Sequence, residues 1–110
     1  MLEYHKMTEE EKYCIARWKY PGEYAIYNSL SYEEQKKRGF GFANPENHLY
    51  SFYDGKELVG FINLNGEDPG VFFGIGVNPD CCGKGYGQQM TRTAWEISQT
   101  LFPGKPMYLE

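Results

Sequence analysis

The residues best suited to chemistry cluster between 77 and 87, where the chain reads Val77-Asn78-Pro79-Asp80-Cys81-Cys82-Gly83-Lys84-Gly85-Tyr86-Gly87. Three glycines at alternate positions let the backbone come close to a ligand and turn its N–H groups inward. The helical pattern that follows offers a positive dipole end and unpaired amides. Together they predict an anion site suited to phosphate. Lys84 either meets that phosphate or is simply solvated. Two common phosphate binders do not match. A P-loop needs GxxxxGK followed by Ser or Thr, and here Gly83-Lys84 is followed by Gly85. A dinucleotide fingerprint needs GxGxxG, and no third glycine stands three residues beyond Gly85.

Other reactive groups are scattered. Glu67 and Asp68 sit in a turn before the strand that leads into the loop, and are the weak candidates for a general base; turn solubility is the plainer reading of both. His5 and His48 are isolated, without the ligand spacing a metal needs. Cys14, Cys81 and Cys82 form no CxxC pair, and the odd count suits a reducing cytoplasm. Tyr24, Tyr27 and Tyr32 read as packed aromatics or as the wall of a cleft.

The elements that must position the loop follow from periodicity and punctuation. Thr8 with Glu11, and Ser31 with Glu34, are capping signals that open two short helices. The first meets Pro21-Gly22, and the state of the Tyr13 to Tyr20 segment stays undecided. The second ends at Gly39, after cationic Lys36 to Arg38. Residues 39–47 read as loop. From His48 the period becomes two: strands at His48–Tyr53, Glu57–Leu64 and Val71–Val77, with turns at Asp54-Gly55-Lys56 and Asn65 to Gly70. Met90, Ala94, Ile97 and Leu101 mark a helix over Gln88–Leu101, which Pro103-Gly104 stops. A last strand begins near Lys105. The predicted fold is a single mixed α/β domain over 1–110: a helical part to 47, then a meander, the glycine loop, a helix and a parallel last strand.

Composition narrows the function. With 110 residues there is room for one domain. An aromatic content of 17% excludes global disorder. A net charge of −4 argues against a general nucleic-acid or anionic-membrane binder, and Lys36-Lys37-Arg38 after Glu33-Glu34 reads as a solvated helix face. No apolar run approaches the ~20 residues of a membrane helix, and the polar N-terminus is no signal peptide.

The loop and its flanks resemble motif A of the GNAT N-acetyltransferase superfamily, Gln/Arg-x-x-Gly-x-Gly/Ala. Gly85 and Gly87 match its small positions, Gly83 to Gly87 looks like the common GKGxG form, and Val77-x-Pro79 like the preceding V-x-P. Cys82 stands where the Gln or Arg is usual. Gly74 to Asp80, and Trp18-Lys19-Tyr20, are similar to one bacterial subgroup. The resemblance implies acetyl-CoA as cosubstrate. Backbone amides from Cys82, Gly83, Lys84, Gly85, Tyr86 and Gly87 would hold its pyrophosphate; Gly76 and Val77 would line the pantetheine arm. It implies direct attack of an amine on the thioester, with no metal.

Two departures matter. Phe72 and Phe73 stand where relatives can carry a catalytic carboxylate, and the chain stops at Glu110 where family members usually add a helix and two strands. A fragment, a sheet completed by a second copy, and a trimmed relative all fit that ending. The expected activity is N-acetyl transfer to an unidentified primary amine; the alternative is a CoA-binding or interaction module without turnover.

Overall fold

The computed structural model describes residues 2–18, 31–39, 41–67, 70–81 and 83–109, with the backbone alone at 67 and 109. Lys19, Tyr20, Pro21-Gly22, Tyr24, Tyr27, Asp68 and Cys82 lie outside the described residues. Five strands follow in chain order: β1 (Glu3–Lys6), β2 (His48–Asp54), β3 (Glu57–Glu67), β4 (Gly70–Val77) and β5 (Met107–Leu109). They form one sheet in the same order, antiparallel from β1 to β4 and parallel between β4 and β5. Helices α1 (Glu9–Ala16) and α2 (Tyr32–Arg38) precede the meander; α3 (Tyr86–Leu101) connects β4 to β5. This is the mixed α/β arrangement expected from periodicity.

Each sheet face has its own core. On one, Phe52, Ile62, Leu64 and Val71 are sealed under Met90, Ala94 and Ile97 of α3. Those three recur at helical spacing, so one stripe of α3 reaches the sheet. Full burial of each Val, Ile or Phe stabilises the fold by roughly 1.5–3 kcal/mol. Gly60 lets α3 approach: a Cβ there would stand 2.6 Å from Met90 Sδ. On the other face, Met7, Ile15, Ala16, Tyr32, Phe42 and Leu49 form a second cluster beneath α1, α2 and a 3₁₀ turn at Gly41–Ala43.

Both capping signals are realised. Thr8 Oγ1 accepts from the Glu11 amide at 3.2 Å, while Glu11 Oε1 accepts from the Thr8 amide at 2.8 Å. Ser31 caps α2 by accepting from Glu34 N, and Gly39 ends it in the left-handed region at φ +65. The β2–β3 connection is the two residues Gly55-Lys56, with Gly55 at φ +63.

Two features depart from the periodicity reading. Residues 3–6 lie within the part read as helical, yet form strand β1 against Tyr50–Tyr53 of β2. β3 runs through Asn65-Gly66 to Glu67, which reads as turn, because Val71 and Phe72 of β4 supply ladder partners there. Among the described residues no helix is long and apolar enough to cross a membrane, and no group of three metal-ligating side chains gathers.

Candidate functional site

The corner between β4 and α3 is held from below by the tip of the β2–β3 hairpin. Where β4 ends, Asn78 donates its amide to Val59 O at 2.8 Å and its side-chain Nδ2 to Leu58 O at 3.0 Å. Its Oδ1 accepts from Asp80 N at 2.9 Å, shaping the 3₁₀ turn at Pro79–Cys81. On the far side of the loop, Tyr86 donates its hydroxyl to Asp54 Oδ2 at 2.7 Å. That hydrogen bond, with burial and the Asp54 charge behind it, pushes the phenol up to about 12. The loop is therefore pinned at both ends to one hairpin.

Between the pins the backbone is open. Gly83 and Gly85 sit at φ +83 and +80, and a Cβ on either would meet no atom within 4 Å. Gly85 is the N-cap of α3 and makes no side-chain cap. The first amides of α3 are thus left for solvent or a ligand rather than for a capping hydroxyl. Gly87 packs directly on β4, its Cβ position 4.0 Å from Val77 Cγ2. Gly76, Val77, Gly83, Lys84, Gly85, Tyr86 and Gly87 are therefore brought into one strand–loop–helix corner.

A cleft of about 740 Å³ opens beside that corner, between β4, β5 and α3. It lies along Gly74 to Val77 of β4, next to the three pairs that β4 makes with β5 at Val71, Phe72 and Phe73. Ile75, Val77 and Met107 give it an apolar floor; Gln88, Thr91, Arg92 and the half-exposed Trp95 form its α3 wall. Arg92 and Trp95 escaped the sequence reading. Their signal was the spacing Gly87-Thr91-Trp95 and Gln88-Arg92, which lays both rows along one flank of a helix that begins at the loop.

The other reactive groups fall elsewhere. Glu67 pairs with Gly70, so it marks the opposite end of β4 from Val77, roughly 23 Å along the strand. Cys81 is fully buried, and burial pushes its thiol up, so it is not an activated nucleophile. Tyr32 is buried beside Tyr13, as a packed aromatic. Tyr53 and His5 both bond Glu11, His5 at 2.8 Å. Burial alone would raise the Glu11 carboxyl. Hydrogen bonds from Tyr53, the Thr8 amide and His5 outweigh it and hold the group at about 2. A carboxylate this acidic is a poor proton acceptor near neutrality. It is a structural hub joining α1, β1 and β2.

The residues present fit a CoA-type ligand: amides and glycines without side chains for a pyrophosphate, and an apolar, cation-edged slot leading off along β4. Comparisons with known proteins place the chain in a family. The Acetyltransferase (GNAT) family model matches residues 8–109. Two solved structures, both chimeras of the spermidine N-acetyltransferase SpeG of Vibrio cholerae with hSSAT, share the fold. One superposes with a TM-score of 0.74 at 19% identity, covering 98% of this chain and 69% of that one. The second gives 0.68 at 18% identity with the same coverage. A search of curated proteins finds no match. A family match across nearly the whole chain, with the family's strand–loop–helix corner in place, makes the chain a member of the GNAT acetyltransferase family and an acyltransferase enzyme.

Proposed function

We propose that the chain transfers an acetyl group from acetyl-CoA to a primary amine by direct attack. The observation that carries this reading is the open glycine loop at the uncapped start of α3, set at the mouth of the β4–β5 cleft. Amides from Gly83 to Gly87, with Cys82 completing the loop, would hold the pyrophosphate; Lys84 and Arg92 supply positive charge at its edge. Gly76 and Val77 would orient the pantetheine arm, with Ile75, Met107 and Trp95 excluding water along it. Bound acetyl-CoA supplies an activated thioester carbonyl. The protein's part is to hold that carbonyl and the amine in line and in a dry slot, where proximity alone can lower the barrier by roughly 7–11 kcal/mol. Glu67 is not assigned as the base, because it sits at the other end of β4. Spermidine, after which the similar acetyltransferases are named, belongs in the first panel of acceptors.

The test is a thermal-shift titration with acetyl-CoA, with ATP and NAD as controls. Acetyl-CoA at ~100 times its Kd would add about 2.7 kcal/mol. For a domain of this size that is roughly a 10–20 °C rise. An equal or larger rise with ATP or NAD overturns the cofactor assignment. A rise with acetyl-CoA, followed by no CoA release with any amine of a broad panel, turns the chain into a CoA-binding module without turnover.

A further inference from the structure

A cavity of about 750 Å³ opens where the end of β1 and the start of β2 meet α1 and α2. It shares no lining residue with the cleft along β4, from which β3 separates it. Its floor is apolar: Met7, Tyr32, Phe42 and Leu49, each more than nine-tenths buried. Its edge is cationic. Lys6, Lys12 and Lys36 reach it from β1, α1 and α2. Three of the eleven Lys and Arg side chains, in a chain of net charge −4, thus line one cavity against a single lining carboxylate, Glu9. Lys12 and Lys36 both stand over the Tyr32 ring, their Nζ atoms 5.7 and 5.0 Å from its centroid. The Lys12 side chain is only 18% exposed. The carboxylates that pair with these two, Glu9 at 3.4 Å and Glu33 at 3.5 Å, are two-thirds exposed. Such surface pairs contribute ~0–1 kcal/mol, so they yield readily to a better-placed anion. Lys6 makes no ion pair among the described residues. Asn44 adds a neutral donor: its Oδ1 accepts from Glu46 N at 3.0 Å, which leaves Nδ2 for a ligand.

Three kinds of occupant fail on one count each. An ammonium, the charged form of an amine near neutrality, meets three like charges, so the acceptor of the transfer reaction is not drawn here. A small hydrated anion leaves Met7, Phe42 and Leu49 uncovered. A neutral hydrocarbon gives the ammonium groups no counter-charge. A molecule that is apolar at one end and anionic at the other satisfies floor and edge together, and the volume is that of a small-molecule site. We propose that this cavity is a second ligand site, for an amphipathic organic acid: its ring or short chain lies on Met7, Phe42 and Leu49, and its carboxylate sits between Lys6, Lys12 and Lys36. The site is separate from the cosubstrate cleft and does not rest on the acetyl-transfer reading.

The probe is 2-naphthoate, followed by the ε-13C methyl signals of the methionines. Met7 lies in the floor of this cavity and Met107 in the cleft along β4, so one spectrum reads both places. Met7→Leu, a volume-conserving change, assigns the Met7 signal by its loss. 2-Naphthoate should shift the Met7 signal saturably and leave Met107 in place. 2-Naphthylmethylamine, with the same rings and the opposite charge, should leave Met7 in place. Lys12→Gln and Lys6→Gln should each raise the 2-naphthoate Kd about tenfold. If Lys12→Gln also lowers the melting temperature, Lys6→Gln decides, because Lys6 is exposed and unpaired among the described residues. A Met7 signal that 2-naphthoate leaves in place overturns the site, whatever Met107 does. An equal Met7 shift with the amine, or an unchanged Kd in Lys6→Gln, overturns the assignment of an organic acid.

Discussion

On the α3 side of the sheet, Phe52, Ile62, Leu64, Val71, Met90 and Ala94 are sealed by a sixteen-residue helix, and Cys81 is buried with them. On the α1–α2 side the cover is two helices of eight and seven residues and a 3₁₀ turn, and hydrogen bonds do much of the holding. Glu11 gathers Tyr53, His5 and the Thr8 amide there, and Gln35 Oε1 accepts from Phe42 N at 2.8 Å. The first side carries the glycine loop, with open backbone at Gly83 and Gly85 and an uncapped helix start. The second carries the engaged amides of Asn65 and Asn47. A shared cosubstrate can be met by backbone and a packed core. On the α1–α2 side it is side chains that do the holding, under a thinner cover.

The contrast can be broken most sharply at the loop. Gly85→Glu puts a side chain at φ +80 and a negative charge at the phosphate site. It should abolish the acetyl-CoA thermal shift while leaving the far-UV circular dichroism spectrum intact; unchanged CoA affinity would sink the loop assignment. The next largest effect belongs to the other side. Glu11 is held at about 2 against an ordinary 4.5, so its contribution is complete above about pH 4.5 and is lost as pH falls toward 2. A shift of that size corresponds to about 3 kcal/mol. Urea melts at stepped pH should show that acid limb in the parent and not in Glu11→Gln, which should also be less stable near neutrality.

Between the two sides lies Gly76, whose Cβ would fall on the Phe61 ring. Gly76→Ala should cost about 2 kcal/mol by overpacking. Pairing it with Phe61→Leu should recover part of that loss in urea melts; additive losses would refute the contact. The smallest effect concerns the brace. Tyr86→Phe removes one hydrogen bond to Asp54, worth about 1 kcal/mol. It should raise the KM for acetyl-CoA about fivefold with kcat unchanged, and Asp54→Asn should reproduce it.

The meander, α3 and the glycine loop between β4 and α3 were legible in the sequence because each rests on local rules: period two, period 3.6, and glycines between a strand and a helix. β1 was not. Its residues Glu3 to Lys6 are all exposed and show no apolar alternation; they pair because β2 offers an open edge and because His5 reaches Glu11. The continuation of β3 through Asn65-Gly66 was hidden because turn-forming residues were overruled by a partner strand. At the candidate site, the glycine loop was readable and its supports were not. The Asp54–Tyr86 bond joins residues 32 apart, and Trp95 and Arg92 become wall residues only when β5 is laid beside β4.

The Phe61–Gly76 contact also says something about ancestry. With the ring resting where a side chain would begin, the two positions are not free to drift separately. A lineage that enlarges residue 76 first must pass through a poorly packed intermediate, whereas one that first trims residue 61 can explore alanine or serine at 76 at little cost. The order of substitution is thereby biased, and among relatives sharing this corner the two positions should vary as a pair, bulk at one accompanying its absence at the other.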